Sequence, residues 1–129
     1  MKLNPDCVRD ILLIIETTTS FDDIFYYEAS NHASFTNLKK YSHAETIYHI
    51  RQCNLHGFLY AVDWNLEADV SVQDLTPLGH QFLADIRSDN IWTKTKSVSK
   101  KVGSASVSAL MQIATGVVTQ IIKNELMIP

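Results

Sequence analysis

A mainly helical α+β fold is predicted for this 129-residue chain by three features of its sequence. A capped helical stretch from Ser42 to about Leu55 runs through Gly57 into strand-like residues. Two short runs of alternating character, "FLYAVD" and "DVSVQDL", bracket "WNLEA" as a hairpin would. Three further stretches, at the N-terminus, after Thr76 and at the C-terminus, repeat apolar residues at helical spacing.

The elements follow in order. Asn4 can cap a first helix and Pro5 suits its first turn. Val8, Ile11, Leu12 and Ile15 supply its apolar stripe, and the threonine run with Ser20 ends it near Thr18. Residues 21–40 hold aromatics without a clean period, so a loop with a short extended or helical piece is expected there. Ser42 with Glu45 three residues on is a capping box. Ile47, Ile50 and Cys53 should face the core, and Gly57 should close the helix in the left-handed conformation. After the hairpin, Thr76 should cap a helix with Pro77 in its first turn and Leu78, Phe82, Leu83 and Ile86 on its buried side. Asp89 can cap a continuation ending at Gly103, and Ser104 can start a last helix reaching about Asn124. A capped helix followed by a glycine and a hairpin has the arrangement of a reading helix and its wing. We therefore expect a winged-helix-like domain with a two-stranded wing over residues 1–88. A C-terminal helical extension over residues 89–129 would pack or dimerise as part of the same globular unit.

The chain is 46% hydrophobic and 19% charged, which is enough apolar content for a real core. Four glycines and three prolines argue against long disordered stretches. The net charge of -3 hides an asymmetry: residues 1–92 carry six lysines and arginines against thirteen acids, while residues 93–129 carry five lysines against one acid. An acidic body with a basic C-terminal region is the result. Asp6 and Asp10 mark the N-terminus as a helix and not a signal peptide. Cys7 and Cys53 both fall on helical patterns, as structural thiols of a reducing compartment do, so a cytoplasmic location is expected.

The residues bear on four kinds of function. For nucleic acid, the helix 42–56 offers Arg51 as its one permanent cation, with His43, His49 and Gln52 as further donors to bases or to a protein partner. Lys94, Lys96, Lys100 and Lys101 of "TKTKSVSKK" could hold phosphates. The wing carries Asp63, Glu67 and Asp69 and would repel a phosphate backbone, which disfavours DNA. For metal, His49, Cys53 and His56 share a helix face, but no CxxC is present and Cys53 is needed in the core, so no metal site and no cofactor are expected. His80 is expected near the wing as a partly buried, hydrogen-bonded histidine. For catalysis, the sequence has no Gly-rich phosphate loop, no nucleophile elbow and no HExxH, so a non-enzyme is expected. Finally, no charge lies between Lys101 and Lys123, yet serines, threonines and glutamines make that stretch too polar for membrane insertion. Val107, Met111, Ala114, Val118 and Ile121 repeat along it as a candidate homodimer seam.

"YSHAETIYHIRQCNLHGFL", "LTPLGHQFLADIRSDNIWTKTKS" and "KKVGSASVSALMQIA" together resemble a family of small bacterial and phage, prophage-associated proteins of unknown function. The Leu-Thr-x-x-Gly-His-x-Phe-Leu run is its most specific piece. The resemblance implies a winged-helix variant with an added C-terminal helix, and it implies no catalytic residues and no ligand. The expected function is that of a phage-type accessory protein that binds another protein, such as a host nucleic-acid-binding or defence protein. The alternative is a winged-helix DNA-binding transcription regulator.

Overall fold

In the computed structural model, which describes residues 1–65 and 69–127, the chain is a mainly helical α+β protein with a three-stranded antiparallel sheet. Helix α1 spans Pro5–Thr18, with the Asn4 side chain accepting from the Asp6 amide at 3.0 Å. Cys7, Val8, Ile11, Leu12, Ile14 and Ile15 are buried along it. The threonines end the helix by a definite device. Thr17, Thr18 and Thr19 donate their hydroxyls to the carbonyls of Leu13, Ile14 and Ile15 at 2.7–2.8 Å, bonding carbonyls close to the helix end.

Residues 21–40 form strand β1, Phe25–Tyr27, and two 3-10 turns, Ala29–Ser34 and Thr36–Leu38. Phe25 and Tyr27 point inward and Tyr26 outward, which is the period of a strand with one buried face. Phe35 packs on both inner rings, with centroids 5.4 and 6.1 Å away.

Helix α2 spans His43–Leu55 and begins with the expected capping box of Ser42 and Glu45. Ile50 and Cys53 are buried, whereas Ile47 is only half-buried; Thr46 and His49 take the remaining inward positions. Gly57 has φ +79, the left-handed geometry that turns the chain from the helix into β2. Strands β2, Leu59–Trp64, and β3, Val70–Leu75, pair antiparallel, and β3 also pairs with β1, giving the order β1-β3-β2. Val72 faces Phe25 on one side and Val62 on the other. Ala61, in mid-strand, has φ 54, a conformation disfavoured for residues with a Cβ. The hairpin tip, with the Glu67 assigned to the wing, lies outside the described residues.

Helix α3, Pro77–Ile86, starts where expected, with the Thr76 hydroxyl accepting from the Gly79 amide at 3.1 Å. Phe82, Leu83 and Ile86 are buried, but Leu78 is 40% exposed. It occupies the first turn, one helical position off the inward row that Gly79 takes. Gly79 is needed there: a Cβ at that position would run into the carbonyl oxygen of Phe58.

The chain forms two compact units, Met1–His80 and Gln81–Pro129. In the second, α4 spans Asp89–Val102 and α5 spans Val107–Glu125. The caps differ from expectation. Ser88, not Asp89, caps α4, because the hydroxyl reaches the Ile91 amide and leaves Asp89 in the acid-favouring first turn. Ser106, not Ser104, caps α5 through the Ala109 amide. Ser104 instead gives its carbonyl to the Ser99 hydroxyl in the link after Gly103, whose φ is +80. No helix among the described residues is long and apolar enough to cross a membrane.

Candidate functional site

The face of α2 singled out by the sequence divides into structural and accessible residues. His49 is 1% exposed and is not a surface donor. Its Nδ1–H donates to the Glu45 carbonyl at 2.7 Å, and its Nε2 accepts the Asn4 amide at 2.8 Å. A carbonyl only accepts and an amide only donates, so the ring is neutral with its proton on Nδ1. Its role is to fasten the start of α1 to α2. His56, at the end of the same row, is exposed, and Cys53 is buried. Burial drives both thiols upward, Cys7 to about 12. Among the described residues, no three His, Cys, Asp or Glu side chains are grouped to hold a metal ion.

Arg51 remains accessible, its guanidinium 5.6 Å from the centre of the Trp64 ring, a cation–π contact between α2 and β2. Gln52 beside it is half-buried. His43 is half-buried too, and its Nδ1 lies 2.8 Å from the Tyr27 hydroxyl, with the rings stacked. On the other side that hydroxyl meets His32 Nδ1 at 2.7 Å, and His32 Nε2 donates to the Tyr41 carbonyl at 2.9 Å. With His32 neutral, the protons have one arrangement: His43 donates to Tyr27, Tyr27 to His32, and His32 to Tyr41. Tyr41 in turn donates its hydroxyl to Asp10 at 2.7 Å, and Lys40 pairs with the same carboxylate at 3.1 Å. Burial, then the bond to Asp10, raises the Tyr41 phenol.

Of the basic run, Lys94, Lys100 and Lys101 are exposed, and Lys96 lies 5.6 Å from the Trp92 ring centre. These lysines belong to the second unit, whereas Arg51 belongs to the first. On the hairpin, Asp63 is exposed, and Asp69 accepts from the Tyr26 hydroxyl and the Asn65 amide group. Bonds to Glu28 first and Asp69 second push the Tyr26 phenol up to about 12, so it stays a neutral donor. His80 is more open than expected; its Nε2 sits 3.4 Å from the Asp74 carboxylate at the edge of β3.

An open cleft on the first unit was not legible in the sequence. Phe21 is fully exposed, Ile24 is 53% exposed and Tyr60 is 57% exposed. With Ser20, Gln73 and Asp74 they line an open cleft of about 500 Å³ between the α1–β1 turn and the outer side of the sheet. Asp22 and Asp23 lie on the turn between Phe21 and Ile24, both exposed, and Ser20 donates its hydroxyl to Asp23 at 2.9 Å. Among the described residues, the lining contains no lysine or arginine. Phe21, Ile24 and Tyr60 thus stand open to water, with the Asp74 carboxylate in the same lining. The signal was present in "SFDDIF", where apolar and acidic residues alternate without strand or helix period. It could not be assigned until Tyr60 and Asp74 were brought across from the hairpin.

The topology defines a mainly helical α+β protein with a three-stranded antiparallel sheet. Residues 2–106 match the model of a family described as hypothetical protein (DUF2513), and the chain belongs to that family. It is also similar to an "uncharacterized protein" of Haemophilus influenzae, 29% identical over 126 residues that cover 95% of this chain and 99% of the relative. No solved structure matches the chain.

Proposed function

We propose that this is a non-enzymatic accessory protein, of the phage or prophage type, that acts by binding another protein through an acidic, winged-helix-like scaffold. The scaffold reading is supported by α2 leading through Gly57 into the β2–β3 hairpin, with β1 paired to β3. The observation that carries the functional reading is the cleft lined by Phe21, Ile24, Tyr60 and Asp74, with the exposed Asp22 and Asp23 on the turn between Phe21 and Ile24. Its complement is a basic segment with one apolar anchor, the kind of segment that host nucleic-acid-binding proteins display. Such a partner would seat its anchor on the aromatic wall and its cations over the acids. Inhibition of a host nucleic-acid-binding or defence protein is the role that fits this chemistry.

A fluorescein-labelled lysine- and arginine-rich peptide with a central leucine tests this by anisotropy. We expect binding that salt weakens. In the Phe21→Ser, Tyr60→Ser double variant it should weaken at least tenfold, or about 1.4 kcal/mol. Both positions are exposed, so the fold should not change. Equal affinity for the double variant, or for a glutamate counterpart of the peptide, would sink the proposal.

The second reading, a DNA-binding regulator, is favoured by the exposed Arg51 on α2 and the exposed Lys94, Lys100 and Lys101 on α4. Against it stand the acids of the hairpin and the loss of His49 as a donor to bases. We expect no tight binding to duplex DNA at physiological salt. Nanomolar affinity with a steep salt slope, abolished by Arg51→Ala or Lys100→Ala, would instead establish the regulator.

A further inference from the structure

The helical hairpin of the second unit has an unfilled face. Between α4 and α5 runs an open groove of about 490 Å³, walled by Ile91, Lys94 and Val98 of α4 and by Ile113, Val117 and Ile121 of α5, with Gly116 among them. The sequence placed the contact seam on Val107, Met111, Ala114, Val118 and Ile121. Val107 and Ala114 are in fact buried, at 3% and 0% exposure, and cannot belong to an open face. Met111 and Val118 are half-buried, while Ile121 lines the groove and is 42% exposed. The apolar stripe of α5 is wider than α4 can cover, and the uncovered side is the row through Ile113, Val117 and Ile121.

We propose that a second copy of this chain covers this groove, its α5 lying across the face in an isologous dimer with Gly116 at the crossing. Gly116 is the first ground. A glycine in the middle of a 19-residue helix weakens it relative to alanine. Among the described residues, nothing beyond its own turn of the helix lies within 4 Å of where its Cβ would stand, so no internal contact there requires the glycine. Close approach of another backbone from outside does. Charge is the second ground. No charged residue lies between Lys101 and Lys123, so α5 itself presents nothing to select an acidic or a basic partner; the cation on the groove's lining, Lys94, belongs to α4. Area is the third. At about 1.5 Å per residue and about 10 Å per helix, the hairpin face measures roughly 20–28 Å by 20 Å. Two such faces bury on the order of 1,000 Å² before side-chain relief is counted, which is the size a specific interface must reach. The groove's residues lie in the second unit and those of the acidic cleft in the first.

Sedimentation equilibrium of the full chain, with circular dichroism as the check on folding, decides the matter. The wild type should be a dimer. Gly116→Leu should be a folded monomer with undiminished helix content, because the space beside Gly116 is open within one chain. Gly116→Ala should raise the dimer dissociation constant at least tenfold. Ile121→Lys, at an already exposed position, should do the same and guards against a folding defect in the leucine variant. A wild type that stays monomeric at every concentration overturns the proposal. So does a dimer whose dissociation constant is the same in Gly116→Leu and Ile121→Lys.

Discussion

Truncating Ile50 to alanine is expected to destabilise the fold by about 2–5 kcal/mol, the range for a core aliphatic cut back to its Cβ. Ile50 is fully buried on α2, in the same unit as the buried Ile11, Leu12 and Ile15 of α1, and those two helices pack together. Two things act together at such a site. The removed methyl and methylene groups lose their transfer free energy, and the cavity they leave cannot collapse where His49 is held by two hydrogen bonds beside them. Urea denaturation of the wild type and the variant measures the difference. A change below about 0.5 kcal/mol is what an exposed position gives and would contradict the orientation of α2 described here.

Gly79→Ala is the second large effect, expected at about 1–3 kcal/mol, the usual penalty for an added methyl in a site with no room. The reason is geometric. The Thr76 amide donates to the Phe58 carbonyl at 2.9 Å, and the first turn of α3 therefore lies directly on that backbone. The atom an alanine would strike is a backbone oxygen, which cannot rotate away as a side chain would. His80→Ala, one residue on and exposed, serves as the control and should fall within about 0.5 kcal/mol of the wild type. An equally silent Gly79→Ala in thermal or urea unfolding would mean that α3 starts differently.

Much of the fold could be read from local chemistry. Asn4–Pro5, Ser42 with Glu45, Thr76–Pro77 and Gly103 mark their helix ends because each acts within four residues of itself. The Leu75–Leu83 run is also understandable in hindsight. Leu75, Phe82 and Leu83 are buried, Thr76 caps, and Gly79 makes room for a carbonyl. What could not be read depended on partners distant in sequence. His49 looked like a surface donor because its acceptor role depends on the Asn4 amide, 45 residues away. The apolar stripe of α5 did not reveal which of its edges α4 would take. Phe21 and Ile24 gained meaning only beside Tyr60 and Asp74. In residues 21–40 no period could emerge, because a three-residue strand and 3-10 turns of six and three residues are each too short to repeat a pattern more than once or twice.

The Tyr27 hydroxyl, shared between His32 and His43, bears on how that short-element region is steered. Apolar contacts let packed elements slide past one another at little penalty, whereas a hydrogen bond weakens steeply once its angle opens. Strand β1, the first 3-10 turn and the opening turn of α2 converge on one oxygen atom. The compass heading of α2 against β1 is thereby fixed by direction and not by contact area. Proton order gives that pivot a polarity: each donor in the row from His43 to the Tyr41 carbonyl is aimed by the acceptor beyond it. A segment with little regular structure of its own thus acts as a keyed joint and not a slack tether between β1 and α2.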